Sequence, residues 1–260
     1  MSEFKTILYA VRDGIARIRL NRPEKRNALN DHMVAELMEA IRMSAGDGHV
    51  RVVLLEGSGK DFCSGADISA LEKSGQFGVE RNLENARKMA SLFIGMRRHP
   101  RPIVAAIRGR ALAGGCGLAT ATDMILAAES AKFGYPEVHI GFIPAIVMAI
   151  LRRSISEKQA FEMITSGQII SAHQALNFGL INHVYPDDRF EEEVNTTVTA
   201  MAGRSASAVS LSKMLLYHMD GLSFEAAIES GVHFNAIARM TDDFKAGVEQ
   251  FLKKPPNPST

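Results

Sequence analysis

The chain has 260 residues, of which 46% are hydrophobic and 23% charged, and 30 basic side chains offset 29 acidic ones to a net charge of +1. These values are typical of a folded globular protein and exclude a largely disordered or fibrous chain. The balanced charge gives no general attraction to nucleic acid or to an anionic membrane, so we expect neither as a partner.

The first third of the chain predicts two strands, a helix and a third strand. Residues 6–11 and 15–20 are rich in β-branched residues and flank Asp13-Gly14, which favours a hairpin turn because both positions tolerate positive φ. Asn30 is a suitable N-cap, and apolar residues at helical spacing follow it as far as Gly46. Residues 50–55 form a short apolar run, which is typical of a buried strand.

The later part of the chain changes from mixed to helical character. Residues 57–78 contain several glycines, and we expect them to be loops. Short apolar runs predict strands over 103–107, 124–128 and 180–184. Helical spacing predicts helices over 79–98, 172–178, 188–201, 205–219, 223–240 and 242–253. We therefore expect an α/β (α+β) fold with a boundary near residue 200, followed by a disordered Pro-rich tail over 253–258.

Several familiar site motifs are absent from the sequence. Gly115-Cys116-Gly117 begins a GxG pattern, but Thr120 stands where a dinucleotide fingerprint needs its third glycine. No GxSxG, HExxH or EF-hand pattern occurs, and the two cysteines, Cys63 and Cys116, form neither a disulfide framework nor a metal cluster. The N-terminus is too polar for a signal peptide, and the longest apolar stretch is shorter than the ~20 residues of a bilayer span. We expect a soluble cytoplasmic protein without a metal.

Three segments carry groups that suit one kind of chemistry. Segments 62–68 and 109–119 each follow a predicted strand, so backbone N–H groups near Ala66 and Gly114 can be left free, the latter at a helix N-terminus. In segment 133–141, Glu137 is a carboxylate among apolar neighbours, where burial raises its pKa. Two N–H donors can polarise a thioester carbonyl towards an enolate while a carboxylate moves a proton at the adjacent carbon. Each segment alone also fits a purely structural role.

Five stretches in order resemble the crotonase superfamily, the enoyl-CoA hydratase/isomerase family, over nearly the whole chain. They are NRPEKRNALN (21–30), FCSGADI (62–68), ALAGGCGLA (111–119), FGYPEVHIGFIP (133–144) and SGQIISAHQALNFGLINHV (166–184). The resemblance implies a spiral core of ββα repeats over 1–200 that holds the CoA-binding and catalytic site. It also implies a helical region over 201–260 that packs homotrimers, often paired into homohexamers.

The resemblance also assigns roles to individual residues. The oxyanion-hole N–H groups fall at Ala66 and Gly114, and the two catalytic glutamates of the family fall at positions 117 and 137, where this chain has Gly117 and Glu137. Coenzyme A is implied as part of an acyl thioester substrate, with no permanently bound cofactor. Its implied contacts are Lys25, Arg26, Ala28, Ala66, Asp67, Ile68, Phe251 and Lys254, although the charged side chains also fit a solvated face.

Gly117 leaves the reaction open between two alternatives. The similarity of the later motifs favours an enoyl-CoA hydratase, whereas one carboxylate is enough for an isomerase that shifts a 3-enoyl to a 2-enoyl double bond. No nearby acid is an obvious substitute, since we interpret Asp67, Asp123 and Glu129 as structural. A non-catalytic acyl-CoA-binding or RNA-binding relative is a third alternative, which Glu137 and the near-zero charge disfavour. Residues 69–82 and 140–150 are expected to shape the acyl pocket.

Overall fold

The chain folds around a six-stranded main sheet and a small second sheet, and the computed structural model describes residues 4–67, 72 and 75–253. In chain order the strands are β1 (Ile7–Arg12), β2 (Ile15–Leu20), β3 (Val52–Gly57), β4 (Ile103–Ile107), β5 (Arg110–Leu112), β6 (Met124–Ala128), β7 (Lys132–Gly134), β8 (Ile169–Ser171) and β9 (His183–Tyr185). The main sheet has the order β1-β2-β3-β4-β6-β9, antiparallel in its first hairpin and parallel beyond it. The small sheet has the order β5-β7-β8.

Helices connect and cover these strands. They are α1 (Asp31–Gly46), α2 (Val79–Arg98), α3 (Gly114–Thr120), α4 (Ala145–Ser154), α5 (Glu157–Ser166), α6 (Ala172–Phe178), α7 (Phe190–Ala202), α8 (Ala206–His218), α9 (Phe224–Met240) and α10 (Asp242–Lys253). Asn30 caps α1 as predicted, because its side chain accepts a hydrogen bond from the Met33 amide. Within the described ranges, no helix is both long and apolar enough to cross a membrane.

Both faces of the main sheet are buried, and strand β3 illustrates how. Val53 and Leu55 point into the larger apolar cluster, which also takes in the inner faces of α1 and α2. Val52 and Leu54 point the other way, into a second cluster completed by α7. Because successive side chains of a strand alternate in direction, one run of apolar residues serves both clusters.

The C-terminal helices differ from the rest in what they bury. Helix α8 is tied to the sheet by Lys213, whose Nζ lies 2.7 Å from an Asp123 carboxylate oxygen. Helices α9 and α10 bury no residue within the chain, and Phe224 and Phe251 are 76% and 78% exposed. The division of the chain at residue 200 stays a prediction, as does the character of the tail, which begins at residue 253 and otherwise lies outside the described residues.

Several elements differ from the sequence predictions. The predicted strand over 180–184 begins only at His183, because the Leu180 amide still donates to the Ala175 carbonyl of α6 and the Asn182 side chain accepts from the Ile125 amide. Strands β5, β7 and β8 were not predicted, since each has three residues and its pairing is set by distant chain segments. Helices α4 and α5 were missed as well.

Candidate active site

Two loops that follow parallel strands lie side by side and form the base of the candidate site. Residues Cys63 and Ala111 form a parallel bridge, and the Leu112 amide donates to the Cys63 carbonyl over 3.0 Å. Gly115 allows this approach, because a Cβ at that position would lie 2.4 Å from the Cys63 carbonyl oxygen. The two segments that follow the carboxyl ends of strands β3 and β4, 62–67 and 110–114, therefore lie side by side.

The two predicted amide donors are brought together by this pairing. A Cβ built on Gly65 would lie 3.5 Å from the Gly114 nitrogen, and one built on Gly114 would lie 4.0 Å from the Ala66 nitrogen. Within the described part of the chain, neither the Ala66 nor the Gly114 amide donates a hydrogen bond to another residue. Two neighbouring unpaired N–H groups are the arrangement that an oxyanion needs.

The backbone before Gly114 is strained in a way that supports this interpretation. Ala113 has φ of 50° and ψ of −128°, although a side chain disfavours positive φ. Its amide donates to the Gly134 carbonyl over 2.9 Å, which ties the start of α3 to strand β7. Gly65, with φ of 101°, faces it closely, since a Cβ there would lie 2.8 Å from the Ala113 Cβ. Strain that is held by its surroundings in this way concentrates at functional sites.

Glu137 lies in a 3-10 turn (Pro136–Ile140) directly after β7, and its carboxylate forms no ion pair with another described residue. The residue is only 9% exposed, and its buried Oε2 atom has no hydrogen-bond partner among the residues that the structure describes. Burial raises the pKa of Glu137 above its ordinary value, and a hydrogen bond from its own amide opposes this only in part. A buried carboxylate oxygen without a partner is uncommon and requires an explanation such as a bound substrate.

A cavity of about 530 Å³ joins these groups. Ala66, Gly114, Gly117 and Glu137 all line it, and its remaining wall is largely apolar. Residues 140 and 142–147 contribute to that wall as expected, and α2 adds Ala86, Met89 and Phe93, which the sequence analysis did not identify. Such a cavity, apolar with few polar groups, is typical of a small-molecule site. Of the expected wall residues 69–82, positions 69–71, 73 and 74 lie outside the described residues, and the described positions 72 and 75–82 do not line the cavity.

The space beside Gly117 is occupied by side chains of other helices. Val147 and Phe93 stand against Gly117, each 5% exposed, and a Cβ on Gly117 would lie 3.1 Å from Val147 Cγ2. No carboxylate other than that of Glu137 lines the cavity within the described ranges. His139 also lines the cavity. Its Nε2 lies 3.2 Å from the Gly167 carbonyl oxygen, so this side chain already has a hydrogen-bond partner.

The predicted coenzyme A segment lies next to the amide donors. The Leu29 amide donates to the Gly65 carbonyl over 2.7 Å, and the Asp67 amide donates to the Leu29 carbonyl over 2.9 Å. Segment 25–29 therefore runs beside segment 64–67. The side chains of Lys25 and Arg26 are exposed there, and Ala28 is buried. Their role towards coenzyme A stays a prediction.

Arg22 joins these two segments from the outside. Its guanidinium donates to the Ala28 carbonyl and to an Asp67 carboxylate oxygen over 2.6 and 2.9 Å. Asp67 therefore helps to hold the loop. Of the other predicted contacts, Ile68 and Lys254 lie outside the described residues, and Phe251 lies at an apolar groove between α8 and α10, not at the cavity that Glu137 lines.

A buried hydrogen-bond network below the cavity was not predicted. The Tyr135 hydroxyl lies 2.8 Å from Thr120 Oγ1, which in turn donates to the Cys116 carbonyl over 2.8 Å. The network links α3, which begins at Gly114, to the residue two positions before Glu137. Burial raises the pKa of Cys116 to about 11, so its thiol stays protonated at neutral pH and is no nucleophile.

Comparison with known proteins agrees with this geometry. The family model for enoyl-CoA hydratase/isomerase matches residues 10–258. The chain is similar to a Thermus thermophilus protein named "Putative enoyl-CoA hydratase", with 36% identity over 93% of this chain and 96% of that protein. It is also similar to the 2,3-dehydroadipyl-CoA hydratase of Escherichia coli, with 30% identity over 90% of this chain and 91% of that protein.

The fold agrees as well. An enoyl-CoA hydratase structure from Mycobacterium smegmatis matches with a TM-score of 0.92 and 30% identity, over 98% of this chain and 100% of that chain. The crotonase-like fold with its helical C-terminal region is therefore confirmed. From the order of its motifs, the pairing of its two Gly-rich loops and these matches, the chain belongs to the enoyl-CoA hydratase/isomerase family of the crotonase superfamily.

Proposed function

We propose that the chain is an enoyl-CoA hydratase, which adds water across the 2,3 double bond of an enoyl-CoA thioester. The observation that carries this proposal is that Glu137, whose buried Oε2 has no partner among the described residues, lines the same cavity as the free amides of Ala66 and Gly114. The amides bind the thioester oxygen, and the carboxylate moves the proton. The names of the relatives support hydration as the reaction.

The hydration step balances with Glu137 as the single acid and base. Its carboxylate takes a proton from water, the hydroxide oxygen bonds to C3, and the π electrons pass through C2 to the thioester oxygen. The amides of Ala66 and Gly114 stabilise the resulting enolate. The proton on Glu137 then moves to C2, and the thioester carbonyl is restored. A pKa raised by burial suits a group that must both accept and return a proton near neutral pH.

Isomerisation of a 3-enoyl-CoA is the second candidate, and the surroundings of Gly117 favour it. Glu137 would remove a proton from C2, the amides would hold the dienolate, and the same proton would return at C4. This sequence needs no second carboxylate and no water. The apolar side chains of Val147 and Phe93 beside Gly117 offer no group to bind a water there.

The coenzyme A portion is proposed to lie along segment 25–28 and residues 66–68. The exposed Lys25 and Arg26 side chains are free of ion pairs with other described residues and can bind the phosphates.

We also propose that α9 and α10 pack against further copies of this chain, as a homotrimer or a homohexamer. Their exposed apolar side chains support this, and Phe251 and Lys254 would then reach a neighbouring site. Sedimentation of a stable monomer at micromolar concentration would refute the assembly.

One assay separates the candidate reactions. The purified chain is incubated with crotonyl-CoA and, separately, with a 3-enoyl-CoA, and the 3-hydroxyacyl and 2-enoyl products are followed. Hydration of crotonyl-CoA that depends on Glu137 supports the hydratase, and conversion of the 3-enoyl substrate alone supports the isomerase. Turnover of neither thioester would refute both and point to a non-catalytic binding protein. RNA binding that weakens steeply with salt would identify the RNA-binding alternative.

A further inference from the structure

The wall of the cavity beside Gly117 is closely packed by one side chain of another helix. A Cβ on Gly117 would lie 3.1 Å from Val147 Cγ2 and 3.3 Å from Val147 Cβ. Carbon atoms that are not bonded prefer a separation of roughly 3.5–4.0 Å, so both contacts would be repulsive. The third neighbour, Phe93 Cζ at 3.5 Å, would be in ordinary contact.

The obstacle is therefore Val147, and it cannot readily move away. Val147 lies in the first turn of α4, is 5% exposed, and packs in the larger apolar cluster. Its β-branched side chain has one strongly preferred rotamer in a helix. A side chain at position 117 would thus require Val147 to shift by a few tenths of an ångström, although Val147 is held by both its helix and the core.

We propose that Val147 is a specificity-determining residue, which together with Gly117 restricts this site to one carboxylate. The inference rests on the proposed function and deepens it. A carboxylate at position 117 would give the attacking water a second hydrogen-bond acceptor besides Glu137. Val147 occupies the space through which that side chain would pass and gives the wall an apolar surface. The substitution of Gly117 alone is consequently not enough to make a two-carboxylate hydratase.

The packing half of the proposal is tested by thermal stability, which needs no turnover. Gly117→Ala adds only a Cβ in a helix, where alanine is intrinsically better than glycine by up to about 1 kcal/mol. We expect G117A to lower the Tm in the wild-type background and to raise it in a V147A background, a difference of about 2 °C or more. I146A is the matched control, because Ile146 lines the same cavity from the same helix but is not among the atoms nearest to that Cβ. G117A and I146A should be additive.

The specificity half is tested by the ratio of hydration to isomerisation. We expect G117E/V147A to raise this ratio by ~10-fold or more over wild type, and G117E alone by less than ~3-fold. If G117E alone does not fold, recovery of folding in G117E/V147A is the expected rescue. Additive Tm changes for G117A and V147A, or a G117E ratio equal to that of the double variant, would overturn the proposal. A wild-type chain that converts neither thioester would instead overturn the proposed function, while the Tm cycle still decides the packing claim.

Discussion

Replacement of Glu137 by glutamine tests the candidate site through activity and stability together. The change keeps the shape of the side chain and removes its proton chemistry. We expect the turnover of an enoyl-CoA to fall by ~10²–10⁴-fold, the range for loss of a general acid or base. Affinity for coenzyme A should stay nearly unchanged, because the proposed contacts to it lie in other segments. Loss of the near-ultraviolet absorbance of the conjugated thioester measures the rate.

The same substitution should stabilise the fold at neutral pH. Burial raises the pKa of Glu137, so the folded chain holds this proton at pH values where the unfolded chain has released it. Stability is then complete below the unfolded pKa of roughly 4.3 and is lost as the pH rises through the folded pKa. Each tenfold change in the dissociation constant corresponds to about 1.4 kcal/mol. For a chain of this size, 1 kcal/mol shifts the Tm by about 2–4 °C.

Glutamine escapes that cost because it does not ionise. E137Q should melt above wild type at pH 8, and the difference should vanish near pH 4. The matched control is E129Q, because Glu129 undergoes the same chemical change with a side chain that is 59% exposed and that, among the described residues, pairs with His173 alone. The control should alter neither turnover nor the pH dependence of the Tm. An E137Q protein that melts at or below the wild-type temperature at pH 8 and keeps turnover within tenfold would refute this account of the site.

Three further predictions concern the framework around the site. Lys213→Met should cost about 3–5 kcal/mol in urea unfolding, because the Asp123 side chain, which is only 14% exposed, loses its cation, and a loss below ~1 kcal/mol would contradict that role. Burial lowers the pKa of His99 to about 4, so the unfolded chain binds its proton first and stability should fall as the pH drops from about 6.5 to 4. His99→Gln should reduce this loss by on the order of 2–3 kcal/mol, and equal slopes for both proteins would contradict it. Gly115→Ala should destabilise the fold by ~2 kcal/mol or more, because the new Cβ would clash with the Cys63 carbonyl oxygen. Gly95→Ala, in open space on α2, should instead stabilise the fold by up to ~1 kcal/mol. The reverse order in urea titrations would contradict the close approach of Gly115 to Cys63.

The Lys213 prediction follows from a fully satisfied group. Its ammonium donates to the Met96 and Arg101 carbonyls over 3.1 and 3.0 Å as well as to Asp123. Asp123 in turn accepts hydrogen bonds from Tyr217 and from the Ile103 amide. Every donor of the lysine is occupied, so the Lys213–Asp123 pair acts as a structural link between α8 and the sheet and not as a second reactive centre.

Local patterns were good predictors where one segment decides its own conformation. Helices over residues 79–98 and 242–253 have the predicted bounds, and the positive φ angles of Asp13 and Gly14 agree with the hairpin turn. The segments of the candidate site were also identified from sequence, because Gly-rich turns after apolar runs and an acid in apolar surroundings are local signals. Strand β8 was missed, since three residues carry no periodicity and, within the described ranges, they pair only with β7.

The sequence by itself determined the class of the fold, the family resemblance, and the presence of Glu137 with a glycine at position 117. Only the tertiary structure decided that the Ala66 and Gly114 amides lie together and that Val147 fills the space next to Gly117. It also decided that Tyr135 joins α3 to the turn that holds Glu137. The reason is physical: helices and turns depend on neighbours within a few residues, whereas the cavity wall depends on contacts between helices that are some 30 residues apart, and no local pattern records those distances.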